Sequence, residues 1–275
     1  MTADVTFQEY IGQDDTLVRP AVGALLFARH EYPGLDVSVY LGRLDAYGRS
    51  AARRLAGLRD PFQIVHALNR LFFVEEGLQG DPFHERDPRC GYVHEVLDRR
   101  PGDPLALSAI YLDVARSCGL PFRGISFPGR ILVRYDHPDS PLYIDPFDAG
   151  MILTHEALRA RLVWQTGLDA EPLDAHLRAI GQKAILIRML NQLKRLYRKA
   201  DAPAKIYWVS DCLLALDPRS AEHLRDRGLA AFRLQRYPEA LRDLSRVVAA
   251  APPGPGQPDL LETLRDLHRQ VSLMN

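Results

Sequence analysis

The sequence predicts an α+β protein, in which a domain with a small antiparallel sheet and a buried central helix precedes an all-α tail of helical repeats. Residues 105–117 are apolar almost all round the helical turn, and a helix without a polar face is a buried one. Two short β-type runs, residues 131–135 and 142–144, flank a segment rich in turn residues. From residue 182 onward, apolar residues recur at helical spacing.

The N-terminal part is expected to be helical. Residues 20–58 predict two helices, because Pro33 interrupts the helical spacing and Asp36 is a residue that caps helix N-termini. A third helix begins at Asp60, which is followed by proline at the first helical position. That helix is expected to end at Gly77, since glycine is the usual residue just beyond a helix.

The middle of the chain supplies the predicted central helix. Residues 80–91 are polar and are expected to form a loop, followed by a short helix over residues 92–99. Asp103 precedes a proline and begins the central helix, which Gly119 ends. After the strands, a further helix is expected around residues 155–163.

The tail has the spacing of tetratricopeptide repeats. Pro218 and Pro252 stand 34 residues apart, which is the period of that repeat. Between them, residues of the types that the repeat favours stand at Gly228, Tyr237 and Ala240. The preceding segment is a weaker copy, and one more helix follows. This is fewer than the roughly three repeats that independent stability requires, so the tail is expected to pack on the first domain or on a second copy, giving a homodimer.

The predicted domain limits are residues 1–180 for the first domain with its N-terminal helices and residues 181–275 for the repeats. Lysine plus arginine and aspartate plus glutamate number 35 each, so the net charge is zero. This balance supplies no bulk attraction to nucleic acid or to an anionic membrane. No apolar stretch reaches the length of about 18 residues that a membrane span requires. We therefore expect neither a nucleic-acid nor a membrane partner.

The cysteines indicate a reducing compartment. They are three in number and widely spaced, at Cys90, Cys118 and Cys212, which does not suit a disulfide framework. The N-terminus has no basic region followed by an apolar run, so a cytoplasmic location is expected. The sequence has no HExxH motif and no glycine loop of the phosphate-binding kind. No metal and no cofactor are expected.

Four segments in this order carry a family resemblance: LNRLFFVEEGLQGD, YVHEVLDRRPGDPLALSAIYLDVARSCGLP, FPGRILVR and IDPFDAG. Together they resemble the transglutaminase-like SirB family, of the SirB-one type. That family joins a papain/transglutaminase-like domain to C-terminal tetratricopeptide-like repeats. The resemblance implies a superfamily triad of cysteine, histidine and aspartate. Its cysteine stands at the start of the central helix, where the helix dipole favours thiolate, and its histidine and aspartate stand on the next two strands.

The resemblance places these three positions on residues that mostly lack the chemistry. At the start of the central helix, Asp103 is followed by no cysteine, and Ser108 lies a full turn further in. The histidine position falls at Arg130, which stays protonated and cannot act as a base. Only the aspartate position is retained, at Asp145. The expected cleft residues are therefore Asp103, Arg130 and Asp145.

Two interpretations of Arg130 follow from its position. It can form an ion pair with Asp145 or Asp103 and close the old site. Alternatively, its planar guanidinium can anchor the carboxylate of a ligand or of a peptide terminus, because its fork of N–H groups matches that geometry. The sequence favours the internal ion pair slightly.

Other residues offer a different chemistry. Cys90 stands in the polar segment with His84 and His94 on either side, which suggests a relocated nucleophile, half of a metal site, or an ordinary loop cysteine. Zinc would require more soft ligands at closer spacing. The surroundings of Cys118 and Cys212 are typical of core packing, and His137 is expected to be a solvated turn residue.

The sequence is consistent with two main functions. The first is a non-catalytic protein-binding or regulatory protein, with a degenerate cleft and a repeat tail that take a protein or peptide partner. The second is a cysteine-type peptidase or amidase that uses Cys90 with His84 or His94 and Asp145. A third view is that the repeats serve mainly to form a dimer or to pack back on the first domain.

Overall fold

A computed structural model describes residues 5–137, 141–167, 172–250 and 257–274. The fold is α+β, as predicted, and it divides into two compact units, Met1–Met189 and Leu190–Asn275. The predicted domain limits, residues 1–180 and 181–275, stay a prediction. None of the described helices combines the length and apolarity that crossing a membrane requires.

The helices of the first unit come mainly before the sheet. They are α1 (Phe7–Ile11), α2 (Pro20–Ala28), α3 (Val37–Leu55), α4 (Pro61–Asn69), α5 (Val93–Arg99), α6 (Pro104–Ser117) and α7 (His155–Thr166). A π-helical turn, Arg70–Glu75, continues α4. The predicted N-caps are present, because the carboxylate of Asp36 accepts from the Ser38 amide and that of Asp60 accepts from the Gln63 amide.

Helix α6 is the predicted buried central helix. Every residue from Pro104 to Ala115 is buried. The helix packs against α2, α3 and α5 on one side and against the sheet on the other. Gly119 follows its end with φ of +70°, a conformation that glycine adopts without strain.

The sheet is larger than the sequence indicated. Its strands are β3 (Phe122–Phe127), β4 (Arg130–Tyr135), β5 (Leu142–Asp145) and β6 (Met151–Leu153), in that spatial order and antiparallel throughout. A separate parallel pair joins β1 (Gln79–Gly80) to β2 (Pro101–Gly102). The short parallel pair, β3 and β6 were not predicted from the sequence. The predicted turn between β4 and β5 includes residues 138–140, which lie outside the described residues.

The tail consists of helices, as expected: α8 (Gln182–Lys199), α9 (Pro203–Leu216), α10 (Ala221–Arg233), α11 (Tyr237–Ala250) and α12 (Gln257–Met274). The packing of α10 on α11 explains why a small residue stands at Gly228. A Cβ at that position would lie 2.6 Å from Leu244 Cδ2 and would prevent the close packing of the two helices. Pro252, which set the 34-residue spacing, lies outside the described residues.

Candidate functional site

The structure brings two of the three cleft residues into contact. Arg130 is the first residue of β4 and Asp145 is the last residue of β5. Because these strands are antiparallel neighbours, the two side chains meet at the same end of the strand pair, and Arg130 Nη1 donates to Asp145 Oδ2. Of the two ion-pair partners that the sequence suggested for Arg130, the structure has Asp145.

Two further residues complete what we call the arginine–aspartate cluster: Arg130, Asp145, Asp148 and Arg161. Arg161, from α7, donates to Asp145 and, through Nη2, to Asp148 Oδ2 at 2.6 Å. Arg130 Nη1 lies 3.4 Å from the same Asp148 oxygen. Asp145 is fully buried, so its charge requires these cations. Two arginines and two aspartates balance, and the cluster has no net charge.

An aromatic ring fills the space beside this cluster. The Phe147 ring lies 5.4 Å from the Arg130 guanidinium carbon and 5.1 Å from the His84 ring. Gly80 permits this arrangement, because a Cβ at that position would collide with the Phe147 carbonyl oxygen and lie 2.8 Å from its ring. The cluster therefore has cations and an apolar ring at the position where the resemblance places the base of the superfamily triad.

The N-terminus of α6 is occupied by its own cap. Asp103 Oδ1 accepts from the amides of Leu105 at 2.9 Å and Ala106 at 2.7 Å. These amides are the groups that would otherwise stabilise an anion at the helix start. Ser108 is buried, and its Oγ donates to the Ile131 carbonyl at 2.7 Å. Asp103 thus has a clear structural role as a helix cap.

Cys90 lies within the predicted polar loop, but in a 3₁₀ turn whose cysteine is buried. It is completely buried, because the 3₁₀ turn Pro88–Gly91 packs against the start of α6 and the Asp103 amide donates to the Cys90 carbonyl at 2.8 Å. Its Sγ donates to Asp81 Oδ2 at 3.4 Å. Burial, and secondarily this carboxylate, raise the pKa of the Cys90 thiol to about 12. Such a thiol is protonated at neutral pH, and the nucleophilic form is the thiolate.

The two candidate histidines have different surroundings. His84 Nδ1 lies 2.7 Å from the carbonyl oxygen of Asp81, so Asp81 contacts both His84 and Cys90. His94 is buried against the rings of Tyr32, Tyr40 and Tyr92, at centroid distances between 4.4 and 5.8 Å. Burial lowers the pKa of His94. Asp81 was missed by the sequence analysis, which had no pattern to single it out among several loop carboxylates.

The remaining candidates are placed as follows. Cys212 is buried within α9, and Cys118 is half-buried with its Sγ directed at the Gly48 carbonyl at 3.7 Å. Burial raises the pKa of both thiols. His137 follows β4, and its ring lies 6.2 Å from that of Tyr135.

A group of possible metal ligands occurs in α10. Within the described part of the chain, ligand atoms of Glu222, His223 and Asp226 lie within 4.8 Å of one another. The ammonium of Lys194 lies among them, at 3.0, 3.1 and 2.7 Å respectively. A buried lysine therefore supplies the positive charge that this group requires.

A different part of the first unit is open and apolar. Two cavities of about 840 and 770 Å³ adjoin each other and share His66, Arg70 and Ile152. We call them together the α4–β6 groove, since α4, the π-helical turn and β6 line it. Three of its lining side chains are large, apolar and exposed: Phe62, Val74 and Met151. No signature in the sequence predicted this groove.

Comparisons with known proteins agree with this architecture. The profile of the Transglutaminase-like superfamily matches residues 38–191, and that of the Tetratricopeptide repeat matches residues 193–269. The chain is 36% identical to a UPF0162 protein of Xylella fastidiosa, over 87% of this chain and 86% of the relative. It is 30% identical to the UPF0162 protein of Vibrio cholerae, over 78% and 79% of the two chains. It is 27% identical to UPF0162 protein YchA of Escherichia coli K12, over 82% and 83%.

Proposed function

Because the chain belongs to the UPF0162 family of transglutaminase-like proteins with tetratricopeptide repeats, we propose that it is a non-catalytic protein-binding or regulatory protein. The transglutaminase-like domain is degenerate in this proposal, and it serves recognition in place of acyl transfer. The partner is a protein or peptide, since tetratricopeptide repeats generally mediate protein–protein interactions. We also propose that the chain is of the SirB-one type, that it is cytoplasmic and that it can form a homodimer.

One observation carries the proposal: the ion pair of Arg130 with the buried carboxylate of Asp145. Asp145 is the triad position that the resemblance retains, and in a working triad it would orient a histidine. Here it is bound by two guanidinium groups, which donate hydrogen bonds and do not accept protons. On the mapping that the resemblance implies, arginine in place of histidine supports a domain without the proton acceptor of the triad.

The alternative function is a cysteine-type peptidase or amidase that uses Cys90. Its support is the grouping of Cys90 and His84 around Asp81. Against it stand the burial of the thiol and its hydrogen bond to a carboxylate, which both favour the protonated form. A nucleophilic cysteine has the opposite surroundings, with a lowered pKa and a cationic neighbour.

The test separates binding from catalysis on the same partner. The full-length chain captures a partner from native cell extract, and the purified partner is then incubated with wild type and with Cys90→Ala. We expect both chains to bind it equally and to leave its intact mass unchanged. Failure to capture any partner would overturn the binding proposal. A change in the partner's mass that wild type produces and Cys90→Ala does not would establish the enzyme.

A further inference from the structure

The α4–β6 groove has the features of a peptide-binding surface. Its walls expose large apolar side chains that a monomeric protein usually buries, and Val74 has 74% of its surface exposed. The π-helical turn Arg70–Glu75 carries Val74 and the neighbouring Phe73 toward the cavity. Such π-type turns inside helices occur frequently at functional sites.

One wall of the groove is the edge of a sheet. Strand β6 is last in the order β3-β4-β5-β6, with β5 as its neighbour on one side. An edge strand presents backbone N–H and C=O groups that an extended peptide can pair with. Ile152, in the middle of β6, lines both cavities. A peptide along this edge would therefore place its side chains in the groove.

The charges of the groove favour a partner that carries a negative charge. Glu75 is shared by two arginines, forming an ion pair with Arg54 and a 3.4 Å contact with Arg70 Nε. Two guanidinium groups and one carboxylate leave an excess positive charge on this wall. Arg70 has 73% of its side chain exposed. On the opposite side, Asp148 is neutralised within the arginine–aspartate cluster. Among the described residues that line the groove, most are apolar, and Arg70 is the more exposed of the two arginines that share Glu75.

We propose that the α4–β6 groove binds an extended peptide segment of a partner protein, which adds to the edge of β6 and carries an apolar side chain next to a carboxylate. The apolar side chain packs against Phe62 or Val74, and the carboxylate pairs with Arg70. This inference rests on the proposed binding function and assigns its site and the chemistry of its partner.

The first experiment selects peptides from a random display library on the full-length chain. The enriched sequences are expected to place aspartate or glutamate within a few positions of an apolar residue. A selected peptide, labelled with a fluorophore, then reports its affinity by polarisation. We expect Arg70→Glu and Val74→Asp to weaken its binding about tenfold or more, the effect of losing a central interface contact. Both residues are exposed, so the fold should tolerate these changes, and circular dichroism checks this.

Matched variants control for charge and polarity. Arg53→Glu makes the same charge change one residue before Arg54, outside the groove lining. Val39→Asp introduces the same carboxylate at another exposed valine, which has 54% of its surface accessible. Both controls should bind the peptide as wild type does. Methylation of the peptide's backbone amides should weaken binding about tenfold, since strand addition depends on main-chain hydrogen bonds.

Each other outcome overturns the inference. Selected peptides that bind the groove variants and the controls equally would place the site elsewhere and leave the protein-binding function standing. Unchanged binding of the methylated peptide would exclude strand addition. If no peptide is enriched and sedimentation shows self-association that Val74→Asp abolishes, the occupant is a second copy of this chain. If neither a peptide nor a protein partner binds, both the proposed binding function and the assignment of the groove are wrong.

Discussion

The arginine–aspartate cluster and the α4–β6 groove are neighbours in the first unit and have opposite character. The cluster is closed, since each of its charges faces an opposite charge and Phe147 fills the adjoining space. The groove is open, and it leaves apolar side chains and Arg70 accessible. Asp148 belongs to both, because it pairs with Arg161 and also lines the groove. The two regions therefore differ in what they offer: the cluster pairs its charges internally, whereas the groove exposes the apolar side chains to which we assign the proposed binding.

The largest expected effect comes from breaking the cluster at its buried member. Asp145→Asn leaves Arg130 and Arg161 without their shared carboxylate, and we expect a loss of about 3 kcal/mol in the free energy of unfolding. Asp148→Asn is the matched control, because Asp148 is considerably more exposed and its ion pairs are screened. Its loss should be below about 1 kcal/mol. Urea unfolding followed by circular dichroism measures both, and equal losses would contradict a structural role specific to Asp145.

The next largest effect concerns how tightly the space beside the cluster is filled. In Gly80→Ala the new methyl group meets the Phe147 carbonyl and ring, so we expect a loss of about 2 kcal/mol. Gly42→Ala is the control, since nothing lies within 4 Å of a Cβ in the middle of α3. That change should stabilise the chain by about 0.5–1 kcal/mol through helix propensity. Thermal unfolding of both variants measures the difference in stability. A Gly80→Ala variant as stable as wild type would show that the space beside the cluster is not tightly filled.

How much of the fold could be predicted from the sequence depends on how far apart along the chain the interacting residues are. Asp36, Asp60 and Asp103 were predicted as caps, because a cap and its amides lie within three residues of each other. The central helix was predicted from its continuous apolar character. Strand β6 was missed, since three residues carry too little periodicity and its pairing with β5 is set by the sheet.

The candidate site was also predictable only in part, because several of its contacts join residues that are distant along the chain. The resemblance located Arg130 and Asp145, and their contact follows from strand neighbours that the sequence suggested. Arg161 was missed because it reaches the cluster from α7, and one arginine among several in a helix has no distinguishing pattern. The groove was missed because residues 70–150 separate α4 from β6 along the chain. The burial of Cys90 could not be read from a polar segment, since a turn packed on α6 produces it.

A third prediction tests whether Cys90 can act as a nucleophile. With its pKa raised to about 12, Cys90 should resist iodoacetamide in the native chain at pH 8 and react only after unfolding in urea. Mass spectrometry resolves labelling at each cysteine. Asp81→Asn removes the carboxylate that accepts from the thiol, so labelling should rise slightly and stay slow, because burial is the larger cause. Rapid labelling of native Cys90 at pH 7 would instead favour the peptidase hypothesis.

The smallest expected effect distinguishes His94 from a working base. Burial among tyrosine rings lowers the pKa of His94 in the folded chain, so between that pKa and the ordinary value near 6.5 the unfolded chain binds more protons. Stability from this residue is therefore fully present above the ordinary value and is lost as the pH falls through that window. We expect His94→Phe to lose less stability than wild type between pH 7 and pH 5 in urea unfolding. If the free energy of unfolding depends on pH in the same way in wild type and variant, burial does not hold His94 neutral. His94 would then again be a candidate base.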